Sequence, residues 1–187
     1  MTDALAALRE EHLNFGKLLD LLDAELALFH QGESPNYELM LDIMFYMTHY
    51  PDMLHHPKEE LAFAKLTRRD AGLRSAVEEL TRQHELLRES GAKLVVELED
   101  IVNGSIVSRQ EVEGPGKAYV ENFRGHMERE EAELFPLVAR LLRAQDWSSI
   151  EEKIDRREDP IFGKVAERRY AAIRDQIARE ASLPGGR

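Results

Sequence analysis

Apolar residues recur at steps of three and four along nearly the whole chain, and strict alternation over the length of a strand is absent. The first stripe runs Leu5, Leu8, Phe15, Leu19, Leu22, Leu26 and Phe29, and His12 stands in it where an apolar residue is due. Gly, Ser, Pro and Asn within residues 31–36 break that pattern. A second helix is predicted from about Tyr37 to Leu66, with Leu39, Ile43, Tyr46 and Tyr50 on one face. Pro51 and Pro57 interrupt it, because each removes a backbone hydrogen bond and kinks the helix. The pattern does not set the phase of the stripe across those prolines.

The third stripe is the most regular. Leu73, Val77, Leu80, His84, Leu87, Gly91, Leu94, Leu98 and Ile101 follow without a slip, which predicts a helix from about Asp70 to Val102. Asn-Gly-Ser at 103–105 ends it. A fourth helix is expected from Ser108, broken or bent by Gly-Pro-Gly at 114–116, then carrying Tyr119, Phe123, His126, Glu130, Leu134, Leu137 and Leu141. Four long amphipathic helices with short connections predict an all-α fold, an up-down-up-down four-helix bundle over residues 1–145. Residues 146–187 read as a helical C-terminal extension. Capping-box spacing at Ser148/Glu151 and Ser149/Glu152 predicts a short helix there. Residues 162–181 predict another, lying across the bundle, and the closing Leu-Pro-Gly-Gly-Arg is expected to fray.

Composition narrows the function. At 187 residues, 43% hydrophobic and 33% charged, the chain suits one soluble domain with an appendage. No apolar run approaches the roughly 18–20 residues of a membrane span, and a cytoplasmic protein is expected. The absence of cysteine excludes disulfides, thiolate metal ligands and a cysteine nucleophile. A net charge of −11 argues against nucleic acid as partner, since phosphate binding needs a basic face.

The candidate chemistry lies where histidines enter the stripes. "HHPKEELAF" at 55–63 and "HMEREEAELFP" at 126–136 share a His-x-x-(Lys/Arg)-Glu-Glu skeleton. Residues four apart on a helix are neighbours, so His55/Glu59 and His126/Glu130 each present an imidazole beside a carboxylate. In an up-down bundle, His12, His55, His84 and His126 fall at levels that agree within roughly 13 Å at the helical rise per residue. Buried imidazoles and carboxylates cost several kcal/mol each unless they pair or hold a metal. A lone histidine on an apolar stripe is usually a hydrogen-bonded core residue, but two repeated pairs plus a histidine on each other helix favour a metal site. Imidazole and carboxylate without sulfur suit iron or manganese, with zinc a lesser fit. Four histidines and two glutamates exceed the ligand set of one tetrahedral zinc, so two ions sharing the glutamates fit better. No histidine has a glutamate three residues before it, so the Glu-x-x-His plan of ferritin-like carboxylate bundles is absent.

These residues resemble the hemerythrin-like (HHE cation-binding) family, whose pattern is His, His-x-x-x-Glu, His, His-x-x-x-Glu, over about residues 5–142. The resemblance implies a four-helix bundle around a non-haem di-iron centre holding two iron ions. It makes Glu59 and Glu130 bridging carboxylates and His12, His55, His84 and His126 terminal ligands. Aligning the two motifs puts His56, Glu60 and Glu131 one step off the metal-facing line, beside the site or in solvent. The competing register, His56/Glu60, keeps the same spacing and lies in line with His49. Oxygen-carrying members have a further histidine one turn after the third-helix ligand. That position is Arg88 here, which stays protonated and cannot ligate iron. His49, Tyr46 and Tyr50 are alternatives for the open position, each also readable as a core or surface residue, and His30 is expected to cap the carbonyls ending its helix. The function this implies is binding or sensing a small diatomic or peroxide ligand (O2, NO or H2O2). The alternatives are a di-iron peroxidase or oxidase and an iron-responsive interaction module.

Overall fold

The computed structural model describes residues 3–154, 157–164 and 167–181, and among them every regular element is helical. Helix α1 spans Asp3–Gln31, and α2 (Tyr37–Tyr50) continues through a π-helical turn, Pro51–His55, into α3 (His56–Arg69). Helix α4 spans Arg74–Val102. Helix α5 (Arg109–Arg129) continues through a second π-helical turn, Glu130–Leu134, into α6 (Phe135–Leu141). These make four rods: α1 packs on α2 and α5, and α4 packs on α2 and α5, which closes a ring of four.

Local chemistry sets the ends of the rods. Gly32 and Gly104 take positive φ (74° and 91°) just past α1 and α4, a backbone that a Cβ would strain. The side chain of Asn36 accepts from the Leu39 N–H (3.1 Å) to start α2. Ser108 and Glu111 form a capping box at the start of α5, with the Ser108 N–H donating to Glu111 Oε2 (2.8 Å).

Four expectations need correction. Helix α5 runs through Gly-Pro-Gly, with Pro115 on its exposed face. A Cβ on Gly116 would lie 2.8 Å from Leu26, so this glycine lets α5 close on α1, and burial of Val112, Tyr119 and Val120 outweighs the hydrogen bond lost at Pro115. His30 does not cap α1; it is exposed and reaches across to Glu113 (2.6 Å). In the extension, α7 (Ala144–Glu151) starts four residues before Ser148, because Asp146 accepts from the Arg143 N–H (2.8 Å) and caps it there.

Residues 162–164 and 167 are not helical, and α8 covers only Ala171–Ala181. Asp159 explains this stretch: its carboxylate accepts from the Ile161 and Phe162 N–H groups (2.8 Å each) and from the Tyr46 hydroxyl (2.8 Å), pinning a turn onto α2. Leu-Pro-Gly-Gly-Arg lies outside the described residues. Trp147 and Ile150 pack beside Leu5 and Phe63, and Ile161, Tyr170 and Ile173 join the other part of the core.

Gly91 sets the distance between α4 and its neighbours, since a Cβ there would lie 2.6 Å from Thr48 and 3.0 Å from Tyr119. Gly91→Val is expected to cost about 1–3 kcal/mol through overpacking. Gly125→Ala, made where nothing stands within 4 Å, is expected to be neutral or to stabilise by up to about 1 kcal/mol. Urea denaturation of both variants checks the contrast.

Candidate metal centre

One polar layer crosses the core. In α1, Leu5 and Leu8 belong to one apolar cluster and Phe15 onward to another, with His12 between. In the second rod Leu54 and Ala62 belong to opposite clusters, with His55, His56 and Glu59 between them. His84 separates Leu80 from Leu87, and His126 and Glu130 lie in the interval between Phe123 and Leu134. All seven polar residues are buried, Glu59 and Glu130 completely at 0% exposure.

The six residues singled out by the sequence therefore meet, and His56 is with them. Two groups of ligand atoms each lie within 4.8 Å of one another: His12, His55, Glu59 and Glu130 in one, and His56, Glu59, His84 and His126 in the other. His12 Nε2 is 3.0 Å from His55 Nε2, and His55 Nε2 is 3.1 Å from Glu59 Oε1. The two carboxylates face both groups. Glu59 lies 3.5 Å from His12 and 3.7 Å from His84, and Glu130 lies 3.5 Å from His12, 3.6 Å from His84 and 3.4 Å from His126.

The expectation that His56 could lie in solvent is thus corrected: its ring is buried in the layer with the other six residues. Adjacent residues of an α-helix point about 100° apart, so one turn cannot aim both His55 and His56 inward. The π-helical turn changes this. The His56 N–H bonds five residues back to the Pro51 carbonyl, which widens the turn and brings both rings to one face. At the second π-turn the Phe135 N–H bonds back to the Glu130 carbonyl. Each turn is followed at the same offset by a proline, Pro57 after His55 and Pro136 after Leu134. Those prolines, which lack the N–H that would restore the α-helical ladder, were the available sequence signal.

Neither register of the doublet describes the result alone, since both histidines turn in while Glu60 stays half-exposed. His49 is exposed and bonded to the Phe45 carbonyl (2.7 Å), away from the layer. The hydroxyl of Tyr46 goes to Asp159, and that of Tyr50 to Glu11 (3.3 Å). Arg88 is exposed and paired with Asp52 (3.2 Å).

Every imidazole in the layer is held from behind at Nδ1. The partners are Glu131 for His12 (3.3 Å), Glu11 for His55 (2.6 Å), Asp52 for His56 (2.9 Å), Glu60 for His84 (3.4 Å) and Gln83 for His126 (3.1 Å). A carboxylate or amide oxygen at Nδ1 favours the tautomer with its proton there, which turns the Nε2 lone pair inward. Among the described residues, the buried side-chain polar atoms without a hydrogen-bond partner are Nε2 of His56, His84 and His126, both oxygens of Glu59 and Glu130, and Trp147 Nε1. All but the last converge in this layer, and their donor chemistry is that of a cation site.

In the metal-free protein protons do part of a cation's work. Burial alone would lower His12, but Glu130 and Glu59 more than offset it and hold the ring up at about 10. His84 is held at about 9 against burial by Glu130 and Glu60. Burial instead pushes His126 down to about 4, against the pull of Glu130. Burial would raise Glu59, yet His55 and His12 hold it well below the usual carboxylate range.

These features define a metal-binding helical bundle. Residues 3–138 match the hemerythrin HHE cation-binding domain, and the chain belongs to that family of typically iron-binding proteins. No curated protein matches the chain closely enough to be counted a relative. No described helix is long and apolar enough to cross a membrane.

Because the folded values of His12 and His84 are raised, their contribution to stability is complete below the unfolded value of 6.5 and disappears as pH climbs towards about 9–10. The unfolding free energy of metal-free protein is therefore expected to fall between pH 7 and 9, by on the order of 1 kcal/mol per proton and pH unit. Divalent metal displaces the same protons, so its affinity should rise over that range. Urea titrations and metal titrations at both pH values check the opposite signs.

Proposed function

We propose that this chain is a non-haem di-iron protein that binds a small ligand (O2, NO or peroxide) at iron. The four rods are read as an up-down-up-down bundle over residues 1–145, carrying residues 146–187 as an extension. One observation carries the reading: Glu59 and Glu130 lie between two groups of imidazoles and face both. Paired carboxylates in that position suit two cations, and one tetrahedral zinc has no use for so many donors. Nitrogen and oxygen donors without sulfur favour iron, with manganese next. In this reading His12, His55, His84 and His126 would each offer Nε2, and Glu59 and Glu130 would be shared between the two ions.

Bound iron would supply Lewis acidity and electron exchange towards a small ligand. The chain supplies the setting. Phe135 stacks on His12 (centroids 5.2 Å apart), and Phe15 lies edge-on to His55 (4.9 Å). Phe123 stands 6.3 Å from His126, so aromatic carbon surrounds the polar layer and keeps bulk water out. His12 is 6% exposed at the floor of a groove lined by Leu13, Met127 and the Arg9–Glu131 ion pair. The groove is wide, and the restriction lies beneath it: with Glu59 and Glu130 fully buried and His12 almost so, the layer suits a ligand of two or three atoms, not a bulky substrate.

Protein made in iron-supplied cells is expected to hold about two irons per chain and to absorb in the near ultraviolet by ligand-to-metal charge transfer. His126→Ala is expected to lose metal. Unchanged stability on adding iron, with well under one metal bound per chain, would overturn the reading. Hydrogen peroxide consumption by loaded protein would move the assignment from binding to a di-iron peroxidase.

A further inference from the structure

The geometry points to His56 as a seventh metal ligand, supplied by the second rod in place of a histidine at position 88 of α4. This inference rests on the di-iron reading and deepens it. His56 is 3% exposed, and one of its ring nitrogens belongs to the same group as Glu59, His84 and His126; Nδ1 is taken by Asp52, which leaves Nε2 for the role. Its ring stacks on that of His84 (centroids 4.1 Å apart, planes 17° from parallel), and the two residues' ligand atoms lie within 4.8 Å of each other. Its Nε2 has no hydrogen-bond partner, the state in which a buried imidazole nitrogen is costly unless something else binds it.

The back of the ring matches the other ligands. Asp52 accepts at Nδ1 (2.9 Å), just as Glu11, Glu131, Glu60 and Gln83 do for the remaining histidines. Arg88 then acquires a purpose. It cannot ligate a cation, but its Nε donates to Asp52 Oδ2 (3.2 Å), so the residue one turn after His84 braces the carboxylate that orients His56. Arg88 and Asp52 are positioning residues, and His56 is the ligand.

The π-helical turn at Pro51–His55 makes the assignment possible. It sends His55 to the group containing His12, and His56 to the group containing His84 and His126. Each of two neighbouring residues would thus serve a different ion. Two ions held there would be inequivalent: one group offers the imidazoles of His12 and His55, the other those of His56, His84 and His126.

Cobalt(II) titration of the metal-free full-length chain, followed by d–d absorption and calorimetry, tests this. Wild-type protein is expected to take up about two equivalents. His56→Leu should keep one site at wild-type affinity and bind at the other more than about 100-fold more weakly. Asp52→Ala, which removes the acceptor at Nδ1, should weaken that same site by about 10–100-fold and leave the other unchanged. Circular dichroism of the metal-free variants reports folding; if His56→Leu does not fold, the Asp52→Ala result decides. Two sites of unchanged affinity in His56→Leu, or in Asp52→Ala, would overturn the role of His56 while the di-iron reading stood. Failure of the wild-type chain to bind cobalt would instead defeat the di-iron reading itself.

Discussion

Everything in this molecule is arranged around one costly layer. Five imidazoles and two carboxylates are taken out of water at the middle of an apolar bundle, where each costs several kcal/mol unless it is compensated. The layer splits the core into two apolar clusters, one built on Phe15, Tyr46 and Phe123, the other on Leu5, Phe63 and Phe135. Those clusters hold the rods firmly enough that the polar atoms cannot relax towards solvent. Without metal, protons on His12 and His84 balance Glu59 and Glu130. Cations would take over that balance and release the protons, so folding and metal binding draw on the same electrostatics.

In the second and fourth rods the chain leaves the α-helical ladder at a π-turn, and both π-turns adjoin the polar layer. Both π-turns lie in rods that carry His-x-x-x-Glu pairs, but on opposite sides of them. The first ends at His55, so it determines how the pair enters the core; the second begins at Glu130, so it determines how the chain leaves. That difference explains why two motifs with one spacing behave differently. His56 is turned into the polar layer, whereas its counterpart Met127 packs with the apolar core. A turn that bonds five residues back sacrifices regular packing of the ladder, and such turns recur at functional sites because they re-aim side chains that an α-helix would keep apart.

The groups behind the imidazoles bind the rods together. Glu11 of α1 accepts from His55, Tyr50 and Lys58 (3.2 Å), and Gln83 of α4 holds His126 of α5. Glu131 reaches back to both Arg9 and His12 of α1. Each ring is therefore fixed by a rod other than its own, except His56, whose partner Asp52 lies one turn earlier in the same rod. In that case α4 contributes at one remove, through Arg88.

The sequence by itself determined whatever repeats at helical spacing. Four apolar stripes, the histidines standing in them, and the His-x-x-x-Glu pairs were all legible, because side chains three and four residues apart share a face whatever the partner helix is. Family membership followed from the same residues. The sequence offered His55 and His56 as alternatives, and it did not show that both turn in, because that depends on whether one N–H bonds four residues back or five. Nor did it show the passage of α5 through Pro115, which depends on Gly116 meeting Leu26 across the bundle. The start of α7 at Ala144, the turn pinned by Asp159 and the oxygen behind each ring likewise involve contacts between distant parts of the chain or competing local caps. Helical period is a local property and can be read along the chain. The rotation of one rod against another is set by packing, and only the tertiary structure decided it.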